Sequence, residues 1–306
     1  MPQNFRILSR LALGLAFIAL LAGPHAAAAQ TVMTGTWTAS VDDKEDKLSL
    51  SLERRSDGGG HSQMGETYDF SEFQGLSRAQ ARGGGPVRFS VVREAGRIDL
   101  EGSFQNGRGS GTFTFTPNQS FVAAMKARGF DFEKESSMRH GPHDFEERMF
   151  AAAAVNVTTA LADDLRSAGF GQLDVEDLFK AAIFKIDSKF MREMKESGFP
   201  GLGMEELVKA RIFKIDADFV REVARMGFAD QELESLVKMR IFKVTPDFIN
   251  EVRNEGLTNL SVEDLVKMRI FKIDAEFIRQ AKAEGVPLEV EELVERSIGV
   301  RGKRHH

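Results

Sequence analysis

Several residue types that would support familiar chemistry are missing or rare in this chain. Its 306 residues include no cysteine, which excludes disulfide bonds, thiolate metal sites, cysteine nucleophiles and iron–sulfur clusters. There is one tryptophan (Trp37) and one tyrosine (Tyr68), against 25 phenylalanines. No charge dominates either, because 41 basic and 46 acidic residues leave a net charge of −5. A chain without a basic excess is not expected to bind nucleic acid.

Long hydrophobic runs are also absent. The apolar segment Leu11–Leu21 has about half of the roughly 20 residues that a membrane-spanning helix needs. It follows Arg6 and Arg10 and precedes Ala27–Ala29, which offers an A-x-A cleavage site. Residues 1–29 are therefore predicted to be a cleavable signal peptide. We expect a periplasmic or secreted mature protein that has no membrane span.

Residues 30–115 show an apolar period of two, which predicts an antiparallel β domain. Asn106-Gly107 lies between the last two strand candidates and is typical of a type I′ hairpin. We expect five or six strands in a meander that forms a small barrel or curved sheet. The regular candidates are Thr36–Val41, Lys47–Glu53, Val87–Arg93, Arg97–Phe104 and Ser110–Thr116. A further strand is predicted within Tyr68–Leu76, and a helical turn at Ser77–Ala81.

The second half of the chain repeats itself every 29 residues, and the units Ile186–Lys214, Ile215–Lys243 and Val244–Lys272 align without gaps. Each unit is predicted to be two helices. The first begins at an N-cap such as Thr245, followed by Pro246, and ends at a glycine; the second begins at a capping box. Repeats of this length are typical of stacked helical proteins.

These patterns predict an α+β, multidomain fold. The small antiparallel β-barrel or curved sheet is followed by an all-α solenoid of about six helix-turn-helix repeats. Residues 116–156 are interpreted as a degenerate first repeat with an insertion, residues 157–300 as the tandem repeats, and residues 301–306 as a basic tail. The recurring Phe and Met columns are interpreted as core.

Charged residues recur in the repeats as well. Acidic pairs lie at the start of each second helix, and basic residues lie at its end. One interpretation is complementarity to the helix dipole together with solubility. The other is that stacked units align the basic residues into a ridge that docks a charged partner. The candidate binding residues are Lys185, Arg211, Lys214, Arg240, Lys243, Arg269 and Lys272.

Motifs for catalysis are not found. The chain has no nucleophile elbow, zinc-protease helix or phosphate loop, so we expect no enzyme activity and no cofactor. His140, His143 and Asp144 are weak metal candidates within the insertion. Gly-Pro between the two histidines argues against a helix that presents both rings, and no third ligand is evident.

The amino-acid sequence of the repeats resembles tandem repeats in uncharacterised exported bacterial proteins. Leu265–Ile278 and Val244–Ile249 carry this resemblance, and Leu100–Phe115 resembles the β domain that accompanies such repeats. The repeats are also similar to those in the extracytoplasmic tails of membrane metallopeptidases of the β-lactam-sensor type. The zinc motif and membrane helices of that group have no counterpart here, so protease activity is not implied. The resemblance implies an envelope protein with a sensing or scaffolding role.

Three functions are compatible with these patterns. The first is a non-enzymatic envelope scaffold that binds an envelope protein or peptide through its repeats. The alternative is a β domain that binds a small ligand or lipid and is carried on a helical stalk. Its cavity would be lined by Trp37, Leu48, Leu50, Phe89 and Phe113. The third is a metal-dependent hydrolase that uses the His140/His143 loop.

Overall fold

The computed structural model describes residues 33–42, 46–55, 61–134, 144–169 and 171–299. The predicted signal peptide, His140, His143 and the basic tail lie outside these residues. Within the described residues the fold is α+β, with a curled antiparallel sheet of seven strands followed by twelve helices. None of the helices in this part of the chain is long and apolar enough to cross a membrane.

The sheet has the strand order β3-β2-β1-β7-β6-β5-β4 and is antiparallel throughout. A short helix, α1 (Arg78–Gly83), precedes β5, where the sequence predicts a helical turn. All five regular strand candidates are confirmed as β1, β2, β5, β6 and β7. The strands are β1 (Met33–Asp42), β2 (Lys47–Arg55), β3 (His61–Asp69), β4 (Phe73–Gln74), β5 (Gly85–Arg93), β6 (Gly96–Gln105) and β7 (Arg108–Pro117).

Two features of the sheet differ from the expectation. The sheet has seven strands instead of five or six, and its meander is interrupted between β3 and β4, while β1 pairs with β7 as in a meander that curls into a barrel. The strand β3 was also missed as a separate element. Of its residues Gln63–Asp69, only Tyr68 is buried, since β3 is an edge strand. A strand with so few buried side chains has little apolar alternation to detect.

The sheet is curled into a half-barrel. Its edge strands β3 and β4 lie at opposite ends of the strand order, yet only a 3-10 turn at Phe70–Glu72 joins them. The two edges therefore meet at this end, where the ring centroids of Tyr68 and Phe73 are 5.4 Å apart. Glycines allow the tight approach of the central strands. A Cβ on Gly111 would lie 1.9 Å from the carbonyl oxygen of Glu101.

A helix from the second half of the chain packs against the sheet. This helix, α3 (Phe145–Ala154), places the ring of Phe150 in a parallel stack on Phe113, with centroids 5.2 Å apart. The buried hydroxyl of Tyr68 donates a hydrogen bond to the carbonyl of Ala154 at 3.2 Å. The core of the sheet is therefore continuous with the core of the helices.

The predicted helix pairs are present, with one helix starting at each expected N-cap. The side chains of Asp187, Asp216, Thr245 and Asp274 accept the backbone N–H three residues later. The helices are α2 (Gln119–Lys126), α3, α4 (Thr159–Ser167), α5 (Val175–Phe184), α6 (Ser188–Glu196), α7 (Met204–Ile212), α8 (Ala217–Arg225), α9 (Leu233–Ile241), α10 (Pro246–Asn254), α11 (Val262–Ile270), α12 (Ala275–Ala283) and α13 (Val290–Ser297).

Equivalent helices of successive units pack against each other. The second helices form the series α5, α7, α9, α11 and α13, in which each helix contacts the next. First helices contact their equivalents in the pairs α2 with α4, α4 with α6, and α10 with α12. Leu178, Leu207, Leu236 and Leu265 form one buried column of this packing.

Candidate functional site

The arginines of the predicted basic ridge are engaged in the packing of the helices. The guanidinium of Arg211 lies 3.7 Å from the ring centroid of Phe190, and its Nη2 donates to the carbonyl of Lys185 at 2.6 Å. Arg240 repeats the arrangement one unit later. It lies 3.6 Å from the ring of Phe219 and donates to the carbonyl of Lys214 at 2.9 Å.

Arg269 occupies the same place in the following unit. Its guanidinium lies 4.9 Å from the ring centroid of Phe248, and its Nε donates to the carbonyl of Phe242 at 3.0 Å. Each arginine thus ties the first helix of its own unit to the end of the preceding unit. Cation–π contact and a hydrogen bond to an otherwise unpaired helix-end carbonyl both favour this position. We therefore assign these three arginines to packing, although the sequence analysis offered them as ridge residues for a partner.

The four lysines of the ridge lie in a different environment. Lys185, Lys214, Lys243 and Lys272 have backbone φ angles of 56°, 54°, 53° and 55°, the left-handed conformation that ends a helix. Their side chains are exposed, and none has an ion pair with another described residue. The ammonium groups are therefore available to an anion outside the chain.

The acidic row at the start of the second helices is neutralised between units. Lys180 pairs with Glu205 at 2.5 Å, Lys209 pairs with Glu234, and Lys267 pairs with Glu291 at 2.5 Å. Lys238 and Glu263 are 3.6 Å apart in the unit between. The hydrogen bond from Glu234 raises the pKa of Lys209, and the bond from Glu291 raises the pKa of Lys267. One glutamate at the start of each of these second helices is thus the partner of a lysine in the preceding unit.

An exposed isoleucine accompanies each ridge lysine, and the sequence analysis missed it. Ile183, Ile212, Ile241 and Ile270 expose 52%, 55%, 50% and 49% of their surface. Ile270 lies on the same helix, α11, as Leu265, Val266 and Met268. Those three are buried, whereas Ile270 is half exposed although it lies only about 40° around the helix axis from Val266. Helical phase alone therefore does not predict its exposure.

We name the exposed surface formed by these residues the Ile–Lys edge. It consists of Ile183, Lys185, Ile212, Lys214, Ile241, Lys243, Ile270 and Lys272. The arginine contacts join the edge residues of successive units, because Arg211 adjoins Ile212 in sequence and its guanidinium binds the Lys185 carbonyl. This contact holds the helix end that carries Ile212 against the helix end that carries Lys185. Arg240 does the same for Ile241 and Lys214.

Asp144, one of the weak metal candidates, has a structural role. Its carboxylate caps α3 by accepting the backbone N–H of Glu147 at 2.6 Å. His140 and His143 lie outside the described residues. Within the residues that are described, no group of three His, Asp or Glu side chains is placed to hold a metal ion.

Arginines of a polar cleft between α3 and α5 are also engaged. Arg128 binds Asp163 through two hydrogen bonds of 2.9 Å, and this bond lowers the pKa of Asp163. The buried Arg148 donates to the carbonyl of Phe132 at 2.9 Å. Both Arg128 and Arg148 are therefore held by groups of the chain itself.

The interior of the half-barrel is filled by the side chains that were expected to line a ligand cavity. Trp37 packs edge-on against Phe89 at 5.4 Å between centroids and donates its Nε1–H to the carbonyl of Glu101 at 3.1 Å. Leu48, Leu50, Phe89 and Phe113 are each exposed by 2% or less. The space next to Phe113 is taken by Phe150.

Comparison with known proteins adds no relative. No protein-family model matches the chain, and no curated protein matches it at a significant level. The Ile–Lys edge therefore rests on the geometry of the described residues.

Proposed function

We propose that this protein is a non-enzymatic, exported scaffold of the bacterial cell envelope that binds a partner through its helical repeats. The helix pairs would form a solenoid of about six repeats, the first of them degenerate, and the β domain would cap its N-terminal end. The observation that supports this most is the repetition of the same exposed edge in successive units. The apolar pattern of residues 1–29 supports export, and the resemblance of the repeats to exported bacterial proteins supports the envelope.

Two kinds of contact support a continuous stack of repeats. The Arg–carbonyl contacts and the Lys–Glu pairs both join one unit to the next at equivalent positions. Interactions restricted to neighbouring units are typical of solenoids, which use their extended surfaces for binding.

The other two functions have less support. A ligand or lipid in the β domain would need the space that Trp37, Phe89 and Phe113 occupy. A hydrolase at the insertion would need the carboxylate of Asp144, which is engaged in capping α3.

The test of the scaffold function is cross-linking in the native envelope followed by capture of the tagged full chain. We expect a small, reproducible set of envelope proteins at low salt. The variant Leu236→Asp places a carboxylate in a buried column and controls for proteins that bind any unfolded chain. No partner specific to the folded chain would contradict the scaffold function.

Export makes a separate prediction. The chain purified from the envelope should begin at Gln30, as N-terminal sequencing would show. A chain that keeps Met1 and stays in the cytoplasm would contradict the signal peptide.

A further inference from the structure

The Ile–Lys edge presents the same pair of exposed residues, an isoleucine and a lysine, in four successive units. Single exposed apolar residues are ordinary on protein surfaces, but contiguous apolar surface with a polar rim is typical of binding sites. Here half of each isoleucine is exposed at the same position of four successive units. The recurring leucine column at Leu178, Leu207, Leu236 and Leu265, by contrast, is buried.

The charge of the edge is available for binding. Lysines on the second helices, such as Lys180 and Lys209, have glutamate partners in the next unit. The edge lysines have none among the described residues. The nearest carboxylates in sequence are the N-caps Asp187, Asp216 and Asp274, which are occupied by backbone N–H groups at 2.8 to 2.9 Å.

The spacing of the edge suits an extended chain. Helices in contact pack with their axes about 8–10 Å apart, and the second helices contact each other in series. A polyproline II segment rises about 3.1 Å per residue with three residues per turn, so one turn spans the distance between neighbouring units and every third side chain returns to the same face. A partner in this conformation can place one apolar side chain on each isoleucine and carboxylates on the lysines between them.

We propose that the Ile–Lys edge binds an extended acidic segment of a partner protein in which an apolar residue recurs at every third position. This inference rests on the proposed scaffold function and names the chemistry of its partner. Buried apolar contact would supply affinity, and the row of lysines would fix the register and speed the encounter.

A lipid surface fits these observations less well. Residues that anchor proteins at membrane interfaces are commonly Trp and Tyr, and both Trp37 and Tyr68 are buried here. The isoleucines are only half exposed, which allows little insertion. The net charge of −5 also opposes approach to an anionic bilayer.

The test is the binding of a labelled synthetic peptide to the full chain, measured by fluorescence anisotropy. The probe repeats Leu-Glu-Glu four times. A peptide of the same composition with its leucines together tests the spacing, and phosphatidylglycerol vesicles test the lipid alternative. We expect salt-sensitive binding of the spaced peptide, weakened about tenfold by Lys214→Asn with Lys243→Asn, and similarly by Ile212→Ser with Ile241→Ser.

Matched variants separate the edge from general surface effects. Lys189→Gln with Lys195→Gln removes two exposed lysines from a first helix, and Val92→Ser replaces an exposed apolar residue of the β domain. Both should leave binding unchanged. Asparagine tolerates the left-handed conformation of the edge lysines, so the lysine variants should fold, as thermal melting would show.

Three results would overturn the inference: no binding of the spaced peptide, equal loss with the matched variants, or binding to the vesicles instead of the peptide. The envelope capture distinguishes failure of the edge from failure of the scaffold function. If the edge variants capture the same partners as the native chain, the scaffold function stands and the Ile–Lys edge is not its site. If the native chain captures nothing specific, the scaffold function itself fails.

Discussion

The buried hydroxyl of Tyr68 links the sheet to the helices. It lies on β3 and donates to the carbonyl of Ala154 at the end of α3. Burial disfavours the charged phenolate and raises the pKa of Tyr68 to about 12, although the nearby Arg93 works in the opposite direction. A group with a raised folded-state pKa stabilises the fold below its unfolded pKa.

This burial predicts a specific loss of stability in alkali. The contribution of Tyr68 should be complete below its ordinary pKa of 10.0 and disappear as the pH rises through about 12, a loss of about 2–3 kcal/mol. Because the chain has a single tyrosine, tyrosinate absorbance reports on this residue alone. Tyr68→Phe should abolish this part of the pH dependence. Ionisation of the folded protein at the ordinary pKa would contradict the prediction.

Glycine is required where two central strands approach each other. Gly111 of β7 faces Gly102 of β6 and Trp37 of β1 in register, and a Cβ would lie 1.9 Å from the Glu101 carbonyl oxygen. The same carbonyl accepts the Trp37 hydrogen bond, so a side chain at this position would disturb both the strand and the ring.

We predict that Gly111→Ala lowers the free energy of unfolding by about 2–4 kcal/mol, because the clash is with backbone atoms. Denaturant titration followed by Trp37 fluorescence measures it. Gly65→Ala is the matched control, since the nearest atom, the Leu50 carbonyl oxygen, would be 4.0 Å from the new Cβ. Equal effects of the two substitutions would contradict the close approach.

At the scale of the helices, the arginine contacts join successive units more specifically than the lysine pairs do. The Lys–Glu pairs are largely exposed, and pairs of this kind contribute about 0–1 kcal/mol. Each arginine instead combines a planar stack on a phenylalanine with a hydrogen bond to a helix-end carbonyl. Lysine cannot reproduce this geometry.

Arg240→Lys should therefore lower the free energy of unfolding by about 1–2 kcal/mol although the charge is kept. Urea denaturation followed by far-UV circular dichroism measures this loss. Arg225→Lys is the control, since Arg225 is exposed and, within the described part of the chain, donates only to the carbonyl of Arg221 in its own helix. If Arg225→Lys costs as much as Arg240→Lys, the stack on Phe219 is not the cause.

At the scale of the whole molecule, the β domain depends on the first helices for part of its core. The ring of Phe150 on α3 stacks on Phe113 of β7 and contacts Phe115 edge-on. Among the described helices, α13 lies at the far end of the series, where it contacts α11 and α12 and where Leu293 is fully buried.

Two truncations of buried side chains should distinguish the stability of the β domain from that of the far end of the helical series. Phe150→Ala should lower the denaturant midpoint reported by Trp37 fluorescence, with a cost of about 3–5 kcal/mol. Leu293→Ala should lower the stability seen by circular dichroism and leave the Trp37 midpoint unchanged, since repeat arrays transmit stability mainly between neighbours. If Phe150→Ala and Leu293→Ala lower the denaturant midpoint reported by Trp37 fluorescence equally, the chain unfolds as one cooperative unit.

The elements that the sequence predicts well are those with local causes. The N-cap at Thr245, the hairpin at Asn106-Gly107 and the alternation of Leu48, Leu50 and Leu52 each involve a few neighbouring residues. The strand β3 was missed because it is an edge strand that buries few side chains, and the pairing of β1 with β7 joins segments far apart in the chain. Pairing between distant segments leaves little trace in local periodicity.

The sequence by itself determined the 29-residue repeat, the helix caps and the buried columns, because these follow from backbone propensity and from apolar period. It could not divide the basic residues into two roles. Only the tertiary structure placed the arginine of each unit against the end of the preceding one and left the lysine beside it exposed. It also turned the isoleucine of Ile-Phe-Lys outward. That division depends on contacts between units, which no single stretch of sequence contains.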